Sequence, residues 1–251
     1  MPALYASAMN ASIYIITGAS RGLGQAMARQ LAGEGHRVLG LSRQVAAGLP
    51  AGVEQWPVDL ADPVPVAERL AAWLAGQRDA AAVHLINNAG VVSQLAPLSE
   101  VGGGDLSNAI RVGLEAPLVL SAAFLRATDA WTVPRKVLLI SSGLGRRAMA
   151  GSASYCAAKA GMDHLARAVA LEEATKPNGA RIVSLAPGII DTDMQVQLRS
   201  ADPARFADRS RFVTFKEQGQ LDSPESAAEK VLRYLARPDF GANPVGDVRE
   251  A

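Results

Sequence analysis

Short runs rich in Val, Ile and Leu alternate with helical patterns from one end of this chain to the other, and that alternation constrains the fold more than any other feature. Runs apolar at consecutive positions, rather than at every second one, belong to strands covered on both faces. The helices between them supply the covers and carry the chain back for parallel pairing. The pattern predicts strands at 13–17, 36–42, 53–58, 82–87, 136–141 and 180–185, with a short last one near 244–248. Helices are expected at 23–32, from the Asp62-Pro63 start to about 74, at 106–127 with a kink at Pro117, at 152–175, and from Ser223-Pro224-Glu225 to 236. The fold class that follows is α/β: a single Rossmann-like domain with a doubly wound parallel sheet of about seven strands flanked by helices, its ligands beyond the carboxyl ends of the strands.

Composition narrows the function. The formal charge of +1 gives no electrostatic case for nucleic acid or an anionic membrane. The one cysteine, Cys156, excludes an intrachain disulfide and a zinc-type cluster; it reads as a buried thiol in a reducing cytoplasm. No apolar run approaches the length of a membrane span, and residues 1–12 read as a short extension without the features of a signal peptide. Residues 191–222 carry four arginines and three phenylalanines with little periodicity, and are expected to form a lid or binding loop. Phe206, Phe212 and Phe215 would be its apolar walls or its internal contacts.

The chemistry concentrates around Tyr155 and Lys159. Four residues apart on a helix, they share a face. A neighbouring ammonium favours phenolate and lowers a tyrosine pKa, making the phenol an acid–base group. Ser142, at the end of the apolar run 137–142, offers a hydroxyl at the carboxyl end of a strand. Together the three groups can hold and protonate a carbonyl oxygen.

Residues 17–24, Thr-Gly-Ala-Ser-Arg-Gly-Leu-Gly, join the first strand to the first helix. Glycines there permit a tight turn and close backbone approach, and the helix start presents free N–H groups to phosphate. The same letters contain Gly18-Ala19-Ser20-Arg21-Gly22, the pattern of a serine-hydrolase elbow with Ser20 as nucleophile. That alternative needs a downstream histidine, and the histidines are His36, His84 and His164. For a dinucleotide, an acid about twenty residues past the glycines would mark a free ribose 2′-hydroxyl. Ser42 stands there instead, followed by Arg43, and Arg21 lies in the turn. Two guanidiniums without an acid favour NADP(H) over NAD(H).

In order, the motifs are Thr17-Gly18-x-x-x-Gly22-x-Gly24, Asp59, Asn87-Asn88-Ala89-Gly90, Ser142, Tyr155-x-x-x-Lys159 and Pro187-Gly188-x-x-x-Thr192. Together they resemble the short-chain dehydrogenase/reductase family over about residues 13–236. The Leu114-Glu115-Ala116-Pro117 segment and the short C-terminal end are similar to its sepiapterin and benzil reductase group. The resemblance implies a cofactor lined by Gly18, Ser20, Arg21, Gly22, Leu23 and Gly24, then by Ser42, Arg43, Asp59 and Leu60. It adds Asn88, Ala89 and Gly90, and finally Pro187, Gly188, Ile190 and Thr192, with Tyr155 and Lys159 at the reacting end. It assigns Tyr155 as proton donor, Ser142 as the group on the substrate oxygen, and Lys159 as the residue that lowers the phenol pKa and holds the nicotinamide ribose. The family usually carries an asparagine where this chain has Gly113, so a backbone carbonyl or Glu115 would have to take over its relay. The expected activity is NADPH-dependent reduction of a small ketone or diketone by a cytoplasmic homodimer or homotetramer paired through the two long helices. The alternative from another class is a non-catalytic NADP(H)-binding sensor.

Overall fold

The computed structural model describes residues 11–250; all but the last two residues of the extension expected at 1–12 lie outside them. The elements are β1 Ile13–Thr17, α1 Gly22–Gly33, β2 Arg37–Ser42, β3 Glu54–Pro57, α2 Pro63–Ala75, β4 Val83–Asn87 and α3 Gly103–Ile110. A π turn, Arg111–Glu115, leads into α4 Ala116–Ala127, followed by β5 Arg135–Ile140, α5 Ala153–Glu173 and β6 Arg181–Ala186. Then come α6 Asp193–Ser200, α7 Arg209–Glu217, α8 Pro224–Ala236 and β7 Val245–Asp247. All strand pairs are parallel, in the order β3-β2-β1-β4-β5-β6-β7. This is the expected α/β Rossmann-like sheet, with a strand at each expected place.

Helices cover both faces. Leu70, Leu74, Phe124 and Met162 from α2, α4 and α5 meet Ile13, Ile15, Leu85 and Val137 on one side. Met27, Leu31, Val231 and Leu235 from α1 and α8 meet Ile16, Ile86 and Leu138 on the other. Every residue of β4 is buried, as a strand with two covered faces requires. The order reverses between β1 and β4, so the chain leaves these neighbours in opposite directions and opens a crevice at their carboxyl ends.

Several local expectations change. The long helix deviates at the π turn, before Pro117, because a proline lacks the N–H that would pair with the Gly113 carbonyl, and a wider turn absorbs the mismatch. The whole helix Gly103–Ala127 is long and apolar enough to cross a bilayer by length and composition, but half of its apolar window is buried against the fold. Asp62 precedes α2 without a side-chain cap bond, whereas Ser223 Oγ does accept from Ser226 N at 3.1 Å at the start of α8. Residues 191–222 are not one loop: they hold α6 and α7. Phe206 and Phe212 are buried with Leu95 and Leu198, and their rings stack 5.8 Å apart. These phenylalanines bind the segment together and do not form its inner wall. Cys156 is half-buried, not buried.

Candidate active site

The glycine turn is shaped by contacts that no side chain could share. Gly18 and Gly22 have φ of +70° and +53°, which L-residues rarely adopt. A Cβ on Gly24 would lie 2.3 Å from the Gly18 carbonyl oxygen. Thr17, at the end of β1, accepts from the backbone N–H groups of Asn88 and Ala89 at 2.9 Å each. Asn88 Nδ2 returns a bond to the Thr17 carbonyl at 2.9 Å. The ends of β1 and β4 are thus laced together at the crevice. Thr17 holds this corner through its hydroxyl, a role the motif position alone does not disclose.

α1 begins beneath the turn with no side-chain cap and no acid in its first turn. Its unpaired N–H groups and positive dipole end therefore remain available to an anion. This cradle, too tight for any Cβ, fits the pyrophosphate of a dinucleotide. Arg43 is exposed and has no ion pair among the described residues, while the Ser42 hydroxyl donates to its own loop at Gln44 O, 2.9 Å. Arg21 pairs with Asp193 of α6 at 2.6 Å, both side chains exposed. Asp59 is exposed and accepts from Ala61 N at 3.0 Å, the closure of an ordinary turn. The Leu23 and Leu60 side chains lie in the two cores, which leaves only their backbones to face a ligand. Gly188 has φ +85°, and the chain beyond it brings Thr192 to the glycine turn, where a Cβ on Gly22 would stand 3.3 Å from Thr192 Cγ2. Ile190 bridges to Asp222, tying the two ends of the α6–α7 segment.

Ser142, Tyr155 and Lys159 are brought together at the carboxyl end of β5. Ser142 Oγ accepts from Leu144 N at 3.2 Å within the short turn Gly143–Gly145, which leaves the hydroxyl proton to donate elsewhere. Burial pushes the Tyr155 phenol up to about 12, and a hydrogen bond with the Ser142 side chain pulls in the other direction. Lys159 is buried and is itself pushed down to about 8 by burial, with Asp163 opposing. Its Nζ stands 5.4 Å from the Tyr155 ring centroid and donates to the Ile140 carbonyl oxygen at 2.6 Å. The phenol thus stands above the ordinary tyrosine value, where the neighbouring ammonium alone would have placed it below. Desolvation outweighs the Ser142 hydrogen bond at the phenol and the Asp163 charge at the ammonium, which is turned to the strand end.

The space beside Gly113 is filled by packing. A Cβ there would lie 3.1 Å from the Ala158 Cβ, so α5 presses directly on the π turn. Glu115 is exposed and does not replace the family asparagine. The hydrolase alternative fails on position. His84 pairs in register with Tyr14, near the start of β1, while Ser20 follows its far end. His36 lies against Tyr14 at that same end, its ring tilted with centroids 5.2 Å apart, and His164 is exposed on α5. A cavity of about 280 Å³ bordered by Leu95, Gln197 and Arg205 lies beside α6, but none of Ser142, Tyr155 and Lys159 lines it.

The short chain dehydrogenase family pattern matches residues 12–203. A benzil reductase ((S)-benzoin forming) of Bacillus cereus is 34% identical over 243 residues, covering 93% of this chain and 96% of that protein. A sepiapterin reductase of Rattus norvegicus is 30% identical over 264 residues, covering 92% and 94%. A solved short-chain dehydrogenase/reductase from Burkholderia vietnamiensis superposes with a TM-score of 0.61 at 34% identity, covering 96% of this chain and 99% of that one. Strand order, glycine turn and sequence likeness agree: the chain belongs to the short-chain dehydrogenase/reductase family of oxidoreductases, near its sepiapterin and benzil reductases.

Proposed function

We propose that this protein is an NADPH-dependent reductase of small ketones or diketones, with aromatic 1,2-diketones such as benzil as the first class to test. The observation that carries the reading is the meeting of the Ser142 hydroxyl, the Tyr155 phenol and the buried Lys159 ammonium beyond the strand ends, beside a glycine cradle open to phosphate. The cradle at 18–24 would take the pyrophosphate, Arg43 and Arg21 the 2′-phosphate, Asp59 the adenine edge, and Asn88 to Gly90 with Thr192 the remaining length of the cofactor. When bound, the reduced nicotinamide supplies hydride to the carbonyl carbon.

The protein's own part is proton delivery and oxygen binding. A phenol at about 12 stays protonated at neutral pH, as a donor to a carbonyl oxygen must. The Ser142 hydroxyl, its oxygen accepting from Leu144 N and its proton engaged with the Tyr155 side chain, would turn that O–H to the same oxygen and stabilise developing negative charge. Lys159 holds a positive charge behind the phenol, which favours the phenolate left after transfer. Exposed Leu118 on α4 and Leu171 on α5 support pairing of copies through these helices as a homodimer or homotetramer. A free cysteine without a partner suits the cytoplasm.

The competing reading is a sensor that binds NADP(H) without turnover, and Gly113 is its only support. The two separate in one experiment. NADPH binding is followed by fluorescence, and its oxidation by absorbance, with a panel of aromatic and aliphatic diketones. Saturable binding with diketone-dependent oxidation is expected. Binding with no oxidation over the whole panel would favour the sensor.

A further inference from the structure

Asp163 is a buried carboxylate on α5, one turn beyond Lys159, and the chemistry above does not use it. Its Oδ1 accepts from Ser141 Oγ at 2.7 Å and from Ser184 Oγ at 2.6 Å. Its Oδ2 faces Arg146 Nε at 3.2 Å. These partners come from the residue after β5, from the middle of β6, and from the turn that follows Ser142. Arg146 continues the network by donating to the Gly246 carbonyl of β7 at 2.9 Å. The turn is drawn hard against the carboxylate, since a Cβ on Gly145 would lie 2.9 Å from Asp163 Oδ2.

Packing alone gives no reason for a charge at this depth, because an apolar side chain of similar size would avoid the desolvation cost. Lys159 does give one. Its ammonium is buried, and its hydrogen-bond partners are neutral, the Ile140 carbonyl at 2.6 Å and the Met162 sulfur at 3.7 Å. Asp163 is the charge that favours its protonated form. We propose that Asp163 is a positioning residue of this site: anchored by Ser141, Ser184 and Arg146, it holds Lys159 as an ammonium and fixes the turn that carries Ser142. The inference rests on the reading of Ser142, Tyr155 and Lys159 as the working groups.

The charged groups facing Asp163 are Lys159 on its own helix and Arg146 on the turn after β5. β6 contributes the Ser184 hydroxyl, and the π turn packed on α5 brings Gly113 against Ala158 and the Leu114 side chain against Gly161. Asp247, at the end of β7, stands with Arg249 and Arg146. Arg146 pairs with the carboxylate directly and Lys159 lies one turn away on α5 within its field, so removing the carboxylate or the competing cation moves Lys159 in opposite directions.

That opposition is testable without cofactor or substrate. The chain has five lysines, Lys136, Lys159, Lys176, Lys216 and Lys230, so ¹³C-labelled lysine side chains can be titrated one by one by NMR, with Lys159→Met assigning the signal. Asp163→Asn is expected to lower the Lys159 titration by about one pH unit. Arg146→Gln, at a part-exposed site, is expected to raise it, and decides the matter alone if Asp163→Asn does not fold. Ser184→Ala, which removes a bond but no charge, is expected to shift it less than either. An unmoved Lys159 titration in the folded variants would overturn the proposal, even where their melting temperatures fall, since lost stability alone marks a purely structural carboxylate. A shift in the expected directions supports it whether or not the wild type reduces ketones, and absent turnover counts against the reductase reading alone.

Discussion

The Lys159 ammonium donates to the Ile140 carbonyl oxygen at 2.6 Å, which ties α5 to the last residue of β5, two residues before Ser142. Because Tyr155 stands one turn earlier on α5, serine and tyrosine are referred to a common anchor. With burial holding the phenol near 12 and the ammonium near 8, the group that titrates first on raising pH is the lysine.

This order predicts the pH dependence of reduction. kcat/KM should be level through neutrality and fall with an apparent pKa near the Lys159 value of about 8, well before the phenol ionises. A pH–rate series at saturating NADPH checks it, and a plateau that persists to about pH 10, the ordinary tyrosine range, would show that the lysine charge is not needed.

Arg43 is exposed and has no ion pair among the described residues, and no acid stands between β2 and β3. Arg43→Ala should therefore weaken NADPH by about 10-fold or more, the worth of a charged hydrogen bond, and leave NADH nearly unchanged. Fluorescence titration with both nucleotides measures the two affinities. Equal losses would remove the 2′-phosphate assignment.

Gly24→Ala places a methyl 2.3 Å from a backbone oxygen, a contact that no rotamer relieves. The turn must open, and nucleotide affinity should fall at least about 10-fold, with a stability loss of about 1–3 kcal/mol from overpacking. Calorimetric binding and denaturant unfolding read the two effects separately.

The frame of this site is written in local sequence. Strand positions follow from consecutive apolar residues, and the glycine turn and the Tyr155–Lys159 spacing follow from periodicities that local chemistry enforces. What the sequence conceals depends on residues distant along the chain. Asp163 reads as a polar position on a helix, and only the folded sheet shows that Ser141, Ser184 and Arg146 converge on it. The phenol pKa misleads for a similar reason: spacing discloses the neighbouring ammonium but not the burial that raises the phenol. The π turn escapes as well, because a proline announces a break without fixing whether the helix kinks or widens.

His84 supplies a prediction about stability. Burial lowers it to about 3, and Lys136 and His36 add to the effect. A depressed histidine pKa means that the unfolded chain binds the proton first, so stability should be lost as pH falls from about 6.5 toward 3. His84→Phe, which keeps a ring against Tyr14, should flatten that acid limb by a few kcal/mol. Urea unfolding between pH 7 and 4 gives the comparison, and an equally steep limb in the variant would assign the loss to other groups.

The central claim is that the Tyr155 phenol delivers the proton to the substrate oxygen. Its most direct test is single-turnover oxidation of bound NADPH by benzil in the wild type and in Tyr155→Phe. The account predicts rapid oxidation in the wild type and a loss of at least about 100-fold in the variant, with NADPH affinity unchanged. Oxidation at the wild-type rate in Tyr155→Phe would contradict it.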